Sequence, residues 1–180
     1  MYYNIFVLSL LFAPMFIFSS KEVVKMNKDI ELTIDNSLLI RGEINDKMAT
    51  EFVFDVNKRK LKKNMYVFLD TNGGSVDAGN QIIYEIQKNN FSCIAHKAIS
   101  MGFVILQSCN ERYITPLGTL MQHQMSYGIM DEKAKVESYV EYIKQVGDHL
   151  TELQSNKIGI SKKNLLAVHI MTGGCLEKMQ

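Results

Sequence analysis

The second half of the chain contains a serine and a histidine that together could carry out acyl transfer. Ser100 precedes Met101, Gly102 and an apolar run typical of a buried helix, so the serine is predicted to stand at the helix start. The first N–H groups of a helix lack partners within it and can bind a developing negative charge. His123 follows a short strand-like segment, and a histidine is a base that can activate a serine. The pair therefore predicts nucleophilic acyl transfer.

A glycine pair supplies a third part of the same chemistry. The turn at 71–75, TNGGS, follows an apolar strand-like run, and glycines allow close backbone approaches that other residues resist. A tetrahedral intermediate needs N–H donors for its oxyanion. Each signal alone is weak, because Gly-Gly turns are common and a serine at a helix start is usually a cap. Their combination with a downstream histidine indicates a hydrolase site.

Alternating strands and helices are predicted to position these residues. Ser75 is expected to cap a helix that runs to about Lys88. A strand, the glycine turn, this helix and the next strand form a βαβ crossover, which implies a parallel sheet with its loops at the carboxyl ends of the strands. The turn and Ser100 are therefore expected at one edge. The predicted strands are 37–42, 65–70, 91–95, 112–115 and 119–123; the predicted helices are 45–58, 75–88, one opening at 100, 131–156 and 161–170.

The helix predicted over about 131–156 is long for a domain of this size. One face of a small α/β core cannot cover such a length, so we expect part of its apolar stripe to contact another subunit. A bent helix packed on its own domain is the alternative. The stripe consists of Val136, Val140, Ile143, Val146, Leu150 and Leu153.

Length and composition fit one globular domain. The chain has 180 residues, 47% of them hydrophobic, and only two prolines. The formal net charge of +1 gives no reason to expect nucleic acid as a partner. The domain is predicted over 37–180, after a polar segment at 21–36.

The first twenty residues differ from the rest. An uncharged apolar run extends from Ile5 to Phe18, a length that matches the apolar part of a signal peptide and is short for a membrane span of about 20 residues. We predict a cleaved signal peptide at 1–20 and a secretory or extracellular location. A retained membrane anchor is the alternative, and without a signal the protein would be cytoplasmic or organellar.

The cysteines indicate neither a metal site nor a disulfide framework. Cys93, Cys109 and Cys175 lack metal-ligand spacing, and no metal or other cofactor is expected. Cys93 and Cys109 lie in apolar runs, so they are predicted to be small core residues rather than disulfide partners. The sequon at Asn90 adjoins a predicted buried strand, and we expect it to be unoccupied.

Three segments carry a resemblance to a known family. They are LDTNGGSVDAGNQI at Leu69 to Ile82, AISMGFVILQSC at Ala98 to Cys109, and MQHQ at Met121 to Gln124. Together they resemble the Clp protease proteolytic subunit family of the crotonase-like superfamily, and the long helix falls where that family has its handle helix. The resemblance covers about Ser37 to Gly174 and implies an α/β fold of repeated ββα units.

The resemblance implies a role for each residue of the site. Ser100 would be the nucleophile, and His123 the general base that later protonates the leaving amine. The backbone N–H groups of Gly74 and Met101 would form the oxyanion hole. A peptide substrate would lie as an added strand, held through main-chain hydrogen bonds by Gly73, Ser75, Val76, Gln124 and Met125.

The chain departs from the family's pattern at the third catalytic position. The resemblance implies an aspartate beyond the handle helix, and the matching position holds Thr172. A threonine can hydrogen-bond the histidine but cannot stabilise its charge, and loss of that carboxylate elsewhere lowers kcat about 10⁴-fold. Asn72 also stands where the family has a proline, and the C-terminus is expected to be short relative to the family.

The leading hypothesis is a serine endopeptidase that cleaves peptides or unfolded proteins. The resemblance implies homo-oligomeric rings, either heptamers or stacked heptamers. An unfolding ATPase is a doubtful partner, because a secretory signal would separate the two proteins, and a membrane partner is expected only if the N-terminal segment is retained. Two alternatives remain: a catalytically impaired oligomeric scaffold or binding protein, and a membrane-associated relative of the signal-peptide peptidases, which use a lysine base.

Overall fold

One parallel sheet organises the computed structural model, which describes residues 30–59 and 64–166. Its four strands lie in the order β1-β2-β3-β4. The elements are β1 (Ser37–Ile44), α1 (Asp46–Lys58), β2 (Tyr66–Gly74), α2 (Val76–Lys88), β3 (Ser92–Ile99), α3 (Met101–Ser108), β4 (Arg112–Met121) and α4 (Lys133–Ile158). This arrangement confirms the predicted α/β class. The predicted signal peptide at 1–20 and Thr172 lie outside the described residues.

Side-chain caps start the two helices that follow β1 and β2. Asn45 accepts a hydrogen bond from the N–H of Met48, and Ser75 accepts one from the N–H of Ala78. Each oxygen satisfies an N–H that has no partner within its helix. Both caps were predicted, as was the end of α2 at Lys88.

The core lies between the sheet and the helices. Seven of the eight residues of α3 are buried, which explains why its sequence is an unbroken apolar run rather than a stripe. On the facing strands, Ile40, Val67 and Leu69 are fully buried. The core therefore holds α3, and with it the serine at its start, against the centre of the sheet.

The strand ends differ from the prediction. The residues 112–115 and 119–123 were predicted as two strands, but β4 is one strand that ends at Met121. Ala95 pairs with Ile114 and Lys97 with Thr119, so the residues around Pro116 are extra in β4 and the pairing resumes beyond them. The predicted Gly-Gly turn likewise lies within β2, which ends at Gly74.

The cysteine prediction was wrong in one respect. Cys93 and Cys109 are fully buried, as expected, but they form a disulfide with their Cα atoms 5.8 Å apart. Cys93 lies near the start of β3, and Cys109 follows the last residue of α3. Because α3 runs back along the sheet, its end returns to the beginning of the strand. Sequence spacing alone does not reveal this return.

The long helix extends over Lys133–Ile158, within two residues of its predicted start and end. It ends at Gly159, which has the left-handed φ of 81° common at helix ends. Ile143 and Leu150 are buried, whereas Val136 and Val140 near its start are only partly covered. None of the helices in the described parts of the chain has the length and apolar character needed to cross a membrane.

Candidate active site

Ser100 stands at a sharp bend between β3 and α3. Its backbone has φ 55° and ψ −119°, and its hydroxyl makes no capping hydrogen bond. A positive φ in a residue other than glycine costs of order 1–3 kcal/mol, so the surrounding structure must impose it. The N–H of Ser100 donates to the carbonyl of Met121 at 2.9 Å, which ties the bend to the end of β4. The side chain is half-buried, and its hydroxyl is not engaged as a cap.

Two glycines make this bend possible by allowing β2 to lie close to it. Gly73 has φ 93°, and a Cβ added there would lie 2.7 Å from Ser100 Cβ. A Cβ at Gly102 would lie 2.5 Å from Thr71 Cγ2. Any larger side chain at either position would push α3 away from β2. Gly73 was predicted to lie in the site, and the closeness of Gly102 to Thr71 emerges from the structure.

Thr71 supports the glycine pair and was not recognised from the sequence as a site residue. Its hydroxyl donates to the carbonyl of Gly42 and accepts from the N–H of Gly73 at 3.0 Å. The residue is 1% exposed, and its bond with the Gly73 N–H is buried, whereas the bond to the carbonyl of the exposed Gly42 is only partly buried. The sequence feature that could have identified Thr71 is its position, because it is a β-branched residue with a hydroxyl between a buried strand and two glycines.

The candidate oxyanion donors lie at the end of β2 and the start of α3. A Cβ at Gly73 would lie 3.0 Å from the backbone nitrogen of Met101, so the glycine strand directly contacts the first N–H of α3. Gly74 instead packs against β1, where a Cβ would lie 2.2 Å from the carbonyl oxygen of Ile44. The structure therefore brings Gly73 and Met101 together, with Gly74 one residue further towards β1.

His123 follows β4 and is half-buried. Its Nδ1 lies 2.6 Å from the backbone carbonyl oxygen of Gln124. Because a carbonyl oxygen only accepts, this contact requires the hydrogen on Nδ1 and makes Nε2 the acceptor nitrogen. That tautomer is the one that a general base facing a serine needs.

The sheet order brings the three chain segments of the site to one edge. β3 lies between β2 and β4, so its carboxyl end, where Ser100 follows, is flanked by the glycine pair on one side and by Met121 on the other. His123 comes two residues after Met121. In parallel α/β sheets, sites form outside these carboxyl ends.

The remaining predicted substrate residues lie beside this edge. Ser75 is exposed and caps α2, and Val76 is half-buried against the core. Gln124 is exposed. Met125 is half-buried and packs on α4, since its Cε would be 3.4 Å from a Cβ at Gly147.

Asp70, a carboxylate three residues before the glycine pair, is already paired. Arg41 Nε lies 3.2 Å and Lys97 Nζ 3.8 Å from its carboxylate oxygens. Each of the three residues belongs to a different strand, β1, β2 or β3. This side chain therefore serves a cross-strand ion-pair cluster. Among the described residues, no group of three acidic, histidine or cysteine side chains is placed to hold a metal ion.

Comparison with known proteins identifies the family of the chain. The family model described as Clp protease matches residues 20–169. The chain is also 25% identical over 131 residues to "ATP-dependent Clp protease proteolytic subunit 2" of Tropheryma whipplei (strain Twist), an alignment that covers 68% of this chain and 73% of that protein. The family match spans the glycine pair, Ser100 and His123 together with all four strands and α4, and on this ground the chain belongs to the Clp protease family.

Proposed function

We propose that this protein is a serine endopeptidase in which Ser100 is the nucleophile and His123 the general base. Membership of the Clp protease family indicates a serine-type peptidase in general terms. The residue assignment rests on the bend at Ser100. The backbone there has a strained positive φ, and the serine hydroxyl makes no capping hydrogen bond. Strain of this kind is concentrated at functional sites.

The chemistry follows from the two side chains. His123 Nε2 takes the hydroxyl proton as Ser100 Oγ attacks the peptide carbonyl carbon, and the carbonyl oxygen becomes an oxyanion. The protonated imidazole then gives that proton to the leaving amine as the C–N bond breaks, which leaves an acyl group on Ser100. Water, activated by the same nitrogen, hydrolyses the ester.

The oxyanion would be stabilised at the junction of β2 and α3. Met101 is the first residue of α3, and the first N–H groups of a helix lack intrahelical acceptors. The N–H of Gly74 lies at the end of the neighbouring strand. Removing one such donor in other hydrolases costs about 10² to 10³ in kcat.

A neutral group orients His123 in this proposal. The Gln124 carbonyl fixes the productive tautomer but carries no full charge with which to stabilise the imidazolium. We therefore expect slower turnover than a Ser-His-Asp enzyme gives. The same observation favours the second candidate, a catalytically impaired scaffold, and Thr172 at the third catalytic position would fit either.

An extended peptide is the substrate that fits the site. It would run between Gly73–Val76 and Gln124–Met125 and be held by main-chain hydrogen bonds. Such bonds do not depend on the side chains of the peptide, so they give little preference for its sequence. Peptides and unfolded proteins offer such strands. The homo-oligomeric ring belongs to this proposal as well, as does the expectation that an unfolding ATPase is a doubtful partner.

The disulfide supports a location outside reducing compartments. Disulfides persist in secreted proteins and are rare where thiols are kept reduced. The Cys93–Cys109 bond thus agrees with the predicted signal peptide and a secretory or extracellular protein.

Hydrolysis of a fluorogenic peptide tests the proposal against the scaffold. Ser100→Ala should abolish turnover and keep the fold, because the Ser100 hydroxyl caps nothing. Ser108→Ala is the matched control, since Ser108 lies at the other end of α3 and its hydroxyl bonds the Ile105 carbonyl at 2.7 Å, within the same helix. Equal rates for wild type and Ser100→Ala would leave the scaffold as the better candidate.

A further inference from the structure

The Cys93–Cys109 disulfide joins the two ends of the chain segment that contains the proposed nucleophile, Ser100. Cys93 and Cys109 are 16 residues apart, and β3, Ser100 and α3 lie between them. Ser100 is at one end of this strand–helix unit and the disulfide at the other. The cross-link therefore joins the two arms of the unit at the end remote from the serine.

The serine end of α3 is held by a backbone hydrogen bond and by a close packing contact. The Ser100 N–H bonds the Met121 carbonyl, and Gly102 packs directly on Thr71. These contacts hold the start of α3, and the burial of seven of its eight residues holds the rest of the helix against the sheet. At the far end, the Cys93–Cys109 bond is the covalent restraint, beside a hydrogen bond from Arg112 to Gln107.

We propose that Cys93 and Cys109 are positioning residues for Ser100, because their disulfide adds a covalent restraint to the packing of α3 and so preserves the strained backbone that aims the serine. This inference rests on the proposed role of Ser100. A displacement of about 1 Å at a reacting group can cost about 10²-fold in rate. Both cysteines are 0% exposed, so a reductant reaches the bond only when the unit opens. The disulfide is thus protected from reductants while the protein is folded.

The test uses a Cys175→Ala background, which leaves only the two paired cysteines of the three in the chain. Alkylation after denaturation without reductant should modify no cysteine, and alkylation after reduction should modify both. Modification of both without reductant would show that the bond does not form, and the proposal would fail.

The positioning role is tested by removing the bond. Cys93→Ala/Cys109→Ala in this background should react with a fluorophosphonate about 10- to 100-fold more slowly, at a temperature well below both melting points. Its amides over Phe103–Ser108 should exchange hydrogen faster than those of the parent. The single change Cys109→Ala, which keeps the buried Cys93 side chain, repeats the comparison with less loss of packing.

The outcomes separate this inference from the proposed function. Unchanged labelling together with unchanged exchange in α3 would overturn the positioning role, even if the melting temperature falls. If the parent with its disulfide is not labelled at all, the proposed function fails, and the exchange of α3 still decides whether the bond holds the helix.

Discussion

At the scale of single residues, the site depends on groups that hold the backbone around Ser100. The serine has a backbone conformation that its own side chain does not favour. Gly73 can approach it only because it has no Cβ, and Thr71 fixes Gly73 through a hydrogen bond. The chemistry of one hydroxyl therefore rests on neighbours that do not react.

Thr71 gives the first prediction. Thr71→Val keeps the shape but leaves the N–H of Gly73 unpaired in a buried place, so it should lower the free energy of unfolding by about 1–3 kcal/mol. Thr71→Ser keeps the hydroxyl and should lose less stability. Urea denaturation of both variants measures the difference. A valine variant as stable as the serine variant would show that the hydrogen bonds matter little.

At the scale of elements, the glycines of α3 and α4 differ in how closely other residues pack against them. Gly102 lies at a tight contact between α3 and β2, whereas Gly147 is within α4 and has only an ordinary contact with Met125. A glycine inside a helix is destabilising unless packing requires it. The two positions therefore distinguish a packing requirement from its absence.

The second prediction compares the same substitution at these two positions. Gly102→Ala should destabilise the protein by roughly 1–3 kcal/mol, because the new methyl group overlaps the buried Thr71. Gly147→Ala should stabilise it by about 0.5–1 kcal/mol through helix propensity. Melting curves of the two variants give the signs. Equal shifts would contradict the close approach of α3 to β2.

A hydrogen bond between α4 and α2 gives the third prediction. Tyr142 donates to a carboxylate oxygen of Asp77 at 3.0 Å. This bond, and then the negative charge of Asp77, raise the pKa of Tyr142 above its usual value of 10.0. Because the pKa is higher in the folded state, the stabilising contribution is complete below pH 10 and is lost as the pH rises through the folded pKa.

Alkaline titration of tyrosine absorbance checks this third prediction. The difference between wild type and Tyr142→Phe should show one phenol that titrates later than an ordinary tyrosine. In the Asp77→Asn background the same difference should move to lower pH, because the carboxylate is gone. An Asp77→Asn protein with an unchanged titration of Tyr142 would contradict the assigned cause.

The sequence predicted the elements better than the contacts between them. Helix starts at Asn45 and Ser75 follow from local capping, and the edge position of Ser100 follows from the βαβ rule. The extra residues in β4 and the Cys93–Cys109 bond depend on how separate segments meet in space, which no local pattern encodes. The contact between the Gln124 carbonyl and His123 could not be predicted either. Every residue has a backbone carbonyl, so the residue type does not indicate what that carbonyl contacts.

At the scale of the whole molecule, apolar side chains remain uncovered between β4 and the middle of α4. Met130 is 99% exposed, and Tyr127, Ile129 and Tyr142 are also exposed. Contiguous exposed apolar residues are typical of protein contact sites. This uncovered segment adjoins the helix that was expected to contact another subunit.

The fourth prediction is that the protein assembles through this region. Light scattering should give a mass of several chains, and Met130→Asp or Ile129→Asp should shift the population towards single chains, because a buried unpaired charge opposes association. Ile34→Asp, an exposed apolar residue before β1, is the matched control. A wild-type protein that is monomeric at high concentration would contradict ring assembly.

The pairing of Ser100 with His123 is tested most directly by locating a covalent adduct. The intact protein is treated with a fluorophosphonate, digested and analysed by mass spectrometry, alongside His123→Ala and Ser108→Ala. A working pair predicts one adduct, on Ser100, formed at the wild-type rate in Ser108→Ala and at least about 10²-fold more slowly in His123→Ala, which is the lower end of the usual range for a general base. An adduct on another residue, or equal labelling of Ser100 with and without His123, would contradict the assignment.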